Sequence, residues 1–324
     1  MEQEQQPPQF LDVPRLVELS MPRRSPVRAW QLAGIFMLVV IASTYFSTQG
    51  GQAAMITEIV SGLAMFGLVV AMGVISWNIV RKTREEQNTV EAIDELIRLR
   101  RWPEAGMMIE QLLSRPTRTP QARAHGLIFL TSVLARYNRF EDAIAVQNYL
   151  LENLQFDPGT VHGLRLSRAM AMLREDHLFD ADKAINELRR QVSRAERSAS
   201  QTDNDEPQTE SESQPADSSA PQALSAGLAL VEIYRDVKTG HPQEAIDLFE
   251  STAPAIREQL GHRVADAHVL VAKAYDLLSR PNEAQTSYER ATLLAPPAEL
   301  HRRYPETAAL AQKYQPAIAP KEAA

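Results

Sequence analysis

Between Arg28 and Glu58 the chain carries no charged residue at all. Within that span Ala29 to Thr48 is apolar and, at about 20 residues, long enough as a helix to cross roughly 30 Å of hydrocarbon. A second uncharged run, Ile59 to Val80, reads IVSGLAMFGLVVAMGVISWNIV and meets the same length requirement. The connecting stretch, STQGGQAAM, is short and rich in Gly, Gln and Ser. Two such runs in close succession predict a transmembrane hairpin, 29–48 and 59–80, and the rest of the chain must be fitted around it.

The flanking charges orient that hairpin. Arg23, Arg24 and Arg28 precede the first run, Arg81, Lys82 and Arg84 follow the second, and the loop has no basic residue. The positive-inside rule then puts both termini in the cytoplasm, as in a multi-pass protein of the plasma (inner) membrane. Trp30 and Trp77 fall near the inner interface, and Tyr45 and Phe46 near the outer one, where rings that are part apolar and part polar collect. A 28-residue leader is long for a cleaved signal peptide, and a second run follows it at once, so cleavage is not expected. Compact two-helix insertion without an organelle signal suggests a bacterial protein. Ser61, Ala64, Gly67 and Ala71 share one face of the second helix and would let another helix approach closely, within the hairpin or in a homo-oligomer. Glu58 sits at the loop end, within reach of water, so no relay role is expected of it.

From about residue 86 the pattern changes to paired amphipathic helices, and the pairs repeat. The clearest unit is 265–298, ADAHVLVAKAYDLLSRPNEAQTSYERATLLAPPA. In it Val271, Ala272 and Tyr275 on one helix are followed by Ala284, Tyr288, Ala291 and Pro296 on the next. Small residues such as Ala272, Ala284 and Ala291 let two antiparallel helices pack closely, Tyr275 and Tyr288 fill the space between neighbours, and Pro296 stops the second helix. Weaker copies are RRWPEAGMMIEQLLSRP around Ala105, NRFEDAIAVQNYLLEN around Ala143, DADKAINELRRQV around Ala184 and HPQEAIDLFEST around Ala245. About five pairs are expected, enough to bury a shared core by stacking, with 299–314 as a capping helix.

These residues resemble the tetratricopeptide repeat. The resemblance implies an all-α chain in which an α-solenoid of helix pairs follows the hairpin. It also implies that protein or peptide partners lie along a surface lined by the first helix of each pair. Carried over by spacing, that surface comprises Val90, Asp94 and Arg98; Ile128, Ser132 and Arg136; Leu228, Glu232 and Arg235; and Val269, Lys273 and Asp276. Family members that bind chaperones clamp a C-terminal carboxylate with Lys and Asn, and the asparagines are missing here. The alanines lie about 38 to 61 residues apart, wider than the standard 34-residue period, so HEAT-like or Sel1-like pairs stay open for the third and fourth units.

Beginning at Ser198, SASQTDNDEPQTESESQPADSSAPQ contains no Leu, Ile, Val or aromatic residue and cannot bury a core. A disordered linker is expected over 198–222, splitting the array into blocks 86–197 and 223–314, with disordered ends at 1–28 and 315–324. Its acidic Ser/Thr sites could also serve regulation by phosphorylation. Residues 199–222 hold six acids and no base, which accounts for most of the net charge of −7. The remainder is nearly balanced, and no basic patch is left for nucleic acid.

The chain has no cysteine, hence no disulfide, thiolate metal site or thiol nucleophile. Its seven histidines form no HExxH pattern, and neither GxxxxGK[ST] nor GxSxG occurs. His262 and His268, six residues apart, do not share a helical face, so no metal or cofactor is expected. The expected role is non-enzymatic: a membrane-tethered scaffold that binds other proteins at the cytoplasmic face. An oligomerising membrane subunit of a transporter or secretion complex, with regulatory repeats, is the alternative.

Overall fold

The computed structural model describes residues 11–21, 52–202 and 219–314. Among them all regular structure is helical. The helices are α1 (Val13–Leu19), α2 (Gln52–Arg98), α3 (Trp102–Leu113), α4 (Pro120–Arg136), α5 (Phe140–Asn153), α6 (Pro158–Arg174) and α7 (Leu178–Thr202). They continue with α8 (Ser219–Thr239), α9 (Pro242–Leu260), α10 (Val264–Leu277), α11 (Pro281–Leu294), α12 (Pro297–Arg303) and α13 (Ala308–Tyr314). Short 3-10 turns occupy Gly261–Arg263 and Pro305–Thr307. This all-helical order is compatible with an α-solenoid.

One local device repeats five times and sets the pairing. The first helix of each pair ends on a residue of positive φ: Arg100 (60°), Asn138 (56°), Asp176 (58°), Gly240 (79°) and Ser279 (59°). The next residue donates its backbone N–H back to the helix: Arg101 to Leu96 (2.8 Å), Arg139 to Leu134 (2.9 Å), His177 to Met172 (3.0 Å), His241 to Asp236 (2.8 Å) and Arg280 to Tyr275 (3.0 Å). This is the left-handed cap that satisfies the last carbonyls of a helix. An acid then opens the second helix, where its charge suits the positive end of the helix dipole: Glu104, Asp142, Asp180, Glu244 and Glu283. Only the fourth turn uses glycine, which takes a positive φ at no steric cost. Gly240→Ala is therefore expected to lower stability by about 1 kcal/mol, measured by urea denaturation.

Five residues beyond each turn stands a fully buried alanine: Ala105, Ala143, Ala181, Ala245 and Ala284, all at 0% exposure. This corrects the third repeat. Ala184, also buried, lies three residues further along α7, and Ala181 holds the equivalent place. The turn residues are then 38, 38, 64 and 39 apart, an even period broken once, between α7 and α8.

The chain divides into two compact units, residues 1–142 and 143–324, with the boundary in the first turn of α5. In the first unit Ile93 of α2, Ile109, Leu112 and Leu113 of α3, and Leu127, Leu130 and Leu134 of α4 are buried. A segment expected to be disordered joins this core. Asp12 caps α1, and Leu11, Val13 and Leu16 are 2–4% exposed. Arg123 of α4 donates to Ser20 Oγ (3.1 Å) and to the Val17 carbonyl (3.2 Å), and Arg139 donates to the Leu11 carbonyl (3.0 Å). Apolar residues at helical spacing, followed by a cap for their carbonyls, give residues 11–20 a partner that composition alone hides. Residues 1–10 and 22–28 lie outside the described residues.

The hairpin finds no direct support. Run 29–48 lies outside the described residues, and among the described residues no helix is long and apolar enough to cross a membrane. Run 59–80 is not a separate element: α2 continues unbroken from Gln52 to Arg98, about 70 Å at 1.5 Å per residue, and becomes the first helix of the first pair. Five large apolar side chains of the run are exposed, Phe66 at 70%, Val70 at 48%, Val74 at 60%, Trp77 at 72% and Val80 at 47%.

The second unit holds one continuous core from Ala169 to Tyr314. Helices α7 and α8, on either side of the expected linker, meet directly through Arg189 and Glu232 (2.6 Å). The linker therefore does not divide the cores. Residues 198–202 and 219–222 are helical, and 203–218 and the tail 315–324 lie outside the described residues.

Candidate protein-binding surface

Register along each first helix can be counted back from its positive-φ residue. Positions ten, six and two before it are Val90, Asp94 and Arg98 on α2, and Ile128, Ser132 and Arg136 on α4. Both triplets coincide with the expected surface. They are half-buried or exposed: Asp94 and Arg98 pair at 2.7 Å, and the Arg136 guanidinium lies 5.7 Å from the Trp102 ring. An exposed i,i+4 ion pair contributes little to stability, so Asp94 and Arg98 are free to exchange it for other contacts.

In the second unit the same count gives Leu166, Met170 and Arg174 on α6, and Leu230, Tyr234 and Lys238 on α8. The expected positions on α8 are thus out of register. Leu228 and Glu232 are buried, at 6 and 7%. Glu232 accepts from Arg189 Nε (2.9 Å) and Nη2 (2.6 Å) of α7, and Arg235 pairs with Asp182 of α7 (3.3 Å) and with Asp236 (2.7 Å). These are bonds between neighbouring helices. Spacing from Ala245 alone slips by two to three residues, whereas the turn at Gly240 fixes the count. On α10 Val269 is fully buried, and Lys273 and Asp276 are half-buried, 3.9 Å apart. The repeat-packing residues Ala272, Ala284 and Ala291 are fully buried, Tyr288 is buried and Tyr275 half-buried, and α11 ends two residues before Pro296.

The face made by α6, α8 and α10 is covered by the chain itself. Tyr304 is fully buried, edge-on to Tyr234 with ring centres 5.1 Å apart and planes at 80°, and the Arg174 guanidinium lies 5.3 Å from its ring. Arg303 donates to Asp266 (2.5 Å), a carboxylate at 0% exposure. Glu306 accepts from the Tyr234 hydroxyl (2.8 Å) and lies 3.2 Å from Lys238, which also donates to Asp176 and to the Leu173 carbonyl, each at 2.5 Å. Further along α10, Asp276 accepts from Lys313 (2.5 Å) and Tyr314 (2.8 Å).

Burial, helped by the Glu306 carboxylate, pushes the Tyr234 phenol well above its usual range; burial beside Asp266 does the same to Tyr304. Burial works against the Arg303 cation, but Asp266 and Glu299 outweigh it and raise its pKa. These phenols stay protonated and act as hydrogen-bond and packing groups. Among the described residues no three His, Asp or Glu gather to hold a metal ion. No family model, curated protein or solved structure matches the chain.

Proposed function

We propose that the chain is a membrane-anchored adaptor, held by a hairpin over 29–48 and 59–80, whose tetratricopeptide-like helix pairs bind segments of other proteins at the cytoplasmic face. The observation that carries the topology is the union of α1 with α3 and α4. Residues 11–20 precede the first apolar run and residues 102–139 follow the second, yet they share one core. A chain that enters a bilayer between them must also return, so the number of crossings is even, in agreement with arginines at both flanks and none in the loop. The exposed apolar side chains from Phe66 to Val80 suit contact with hydrocarbon. Support for the adaptor role is the cap-and-alanine device, which recurs five times along the sequence, with exposed or half-buried polar groups at Asp94, Arg98, Ser132 and Arg136 in the first unit. Anchoring would raise a partner's effective concentration at the membrane.

The absence of cysteine permits a clean test. In spheroplasts, Gly50→Cys should react with a membrane-impermeant maleimide, and Glu91→Cys should react only after lysis. Equal labelling of both, or release of the chain by an alkaline wash, would sink the anchor. For the adaptor role, a photo-cross-linking residue at Ser132 should give a discrete adduct that disappears when the probe is moved to the outward site Glu141. Identical adducts from the two positions would count against a specific surface.

A further inference from the structure

We propose that residues 303–314 are a displaceable ligand carried by the chain itself, and that the partner they exclude is a protein segment with the same basic, aromatic, proline, acidic order as Arg303-Tyr304-Pro305-Glu306. The inference deepens the protein-binding reading above and rests on it. It concerns only the α6–α8–α10 face.

Position is the first ground. Arg174, Tyr234 and Lys238 stand at the same register as Arg98, Asp94, Ser132 and Arg136, and all three touch Tyr304 or Glu306. The segment thus occupies, within the second unit, the register positions that correspond to the surface proposed for the first. Form is the second. The covering stretch is two seven-residue helices interrupted by a 3-10 turn that begins at Pro305, pieces too short to be stable alone. Their shape is dictated by the face beneath them, as with a bound peptide.

Chemistry is the third ground. A cap that only closes a core needs an apolar underside. This one also inserts an arginine, a tyrosine and a glutamate, each opposite its complement: Asp266 for Arg303, the Tyr234 edge and Arg174 for Tyr304, and Lys238 with the Tyr234 hydroxyl for Glu306. A buried Tyr anchor beside a half-buried Arg, both set among paired charge, matches the anatomy of a binding hot spot. The fit is also incomplete. Among the described residues Tyr304 Oη and Glu306 Oε2 are buried without a hydrogen-bond partner, and Asp266 Oδ2 has only the Arg263 guanidinium at 3.6 Å; each such atom weakens the dock. A partner segment that satisfied them would compete, although a tethered segment acts at a millimolar effective concentration.

The test uses the full chain and, as probe, a fluorescein-labelled peptide of residues 299–308, ELHRRYPETA. Polarisation should show on the order of 100-fold tighter binding to the Arg303→Ala/Glu306→Ala variant than to wild type, by the effective-concentration advantage removed. Adding Lys238→Ala should abolish the gain. Equal affinity for both proteins, or no binding to a variant with native circular dichroism, overturns the proposal. Should the variant fail to fold, hydrogen exchange on the wild type decides. Amides of 297–314 should open at least tenfold more readily than those of α8 and α10, and exchange only together with those helices would make the segment an integral cap. A failed peptide test alongside a position-specific adduct at Ser132 would leave the adaptor reading standing and remove only the self-occupied surface.

Discussion

Tyr288→Ala is expected to cost the second unit about 3–5 kcal/mol, the loss typical of deleting a buried aromatic side chain. Tyr288 is 2% exposed, its ring stacks on His301 at 5.9 Å with planes at 15°, and its hydroxyl meets His301 Nε2 at 3.0 Å. On its other side His301 meets Thr307 Oγ1 at 3.1 Å, and that hydroxyl donates to the Tyr304 carbonyl at 2.7 Å. Removing the ring leaves a cavity at the root of this chain, whereas Tyr288→Phe keeps the volume and should cost no more than about 1.5 kcal/mol. Urea unfolding of the two variants separates ring from hydroxyl. Equal losses would mean that the hydroxyl, not the packing, holds α11 to α12.

Glu86→Ala should weaken the first unit by about 3 kcal/mol. Its carboxylate, 8% exposed, accepts from the backbone N–H of Arg118 (3.0 Å) and of Thr119 (3.2 Å), and from the Thr119 hydroxyl (3.2 Å). Thr119 in turn caps α4 through the N–H of Ala122 (3.4 Å). One acid on α2 thus organises the start of α4, where a negative charge also meets the positive end of the helix dipole. Hydrogen bonds to an ionised acceptor are the stronger kind, and Ala leaves their buried donors unsatisfied. Glu86→Gln retains one acceptor oxygen and should lose about 1 kcal/mol. A negligible change for Glu86→Ala in thermal unfolding would show that water replaces the carboxylate freely.

Helix type and pairing were legible because they rest on local rules. Alanine at close helix crossings and acids in first turns are visible in the string around Ala105, Ala143, Ala245 and Ala284, and prolines at helix starts at Pro103, Pro242 and Pro281. Spacing alone misplaces the third repeat because Ala181 and Ala184 are both buried alanines on α7, and the turn at Asp176 distinguishes them. A left-handed cap on Arg, Asn, Asp or Ser has no glycine to betray it, but the pattern of a basic residue, two others, an acid and alanine recurs at Arg101, Arg139, His177, His241 and Arg280 and could have fixed the register. Contacts between distant segments leave no such trace. Nothing near Leu11 announces Arg139, and nothing in Tyr304 announces Tyr234. For that reason the terminal segments look in the sequence like a loose end and a simple cap, whereas one completes a core and the other packs its Tyr304 and Glu306 against Arg174, Tyr234 and Lys238.

The docking of α1 also constrains biosynthesis. Arg139, which holds the Leu11 carbonyl, is made 128 residues after it, and at about 5–20 residues per second the ribosome needs roughly 6–25 s to supply that partner. During the interval Leu11, Val13 and Leu16, each buried in the finished unit, have no core to enter. The first unit can therefore close only once residues 11–20, the helix bearing Arg123 and the turn bearing Arg139 are on the same side of any barrier.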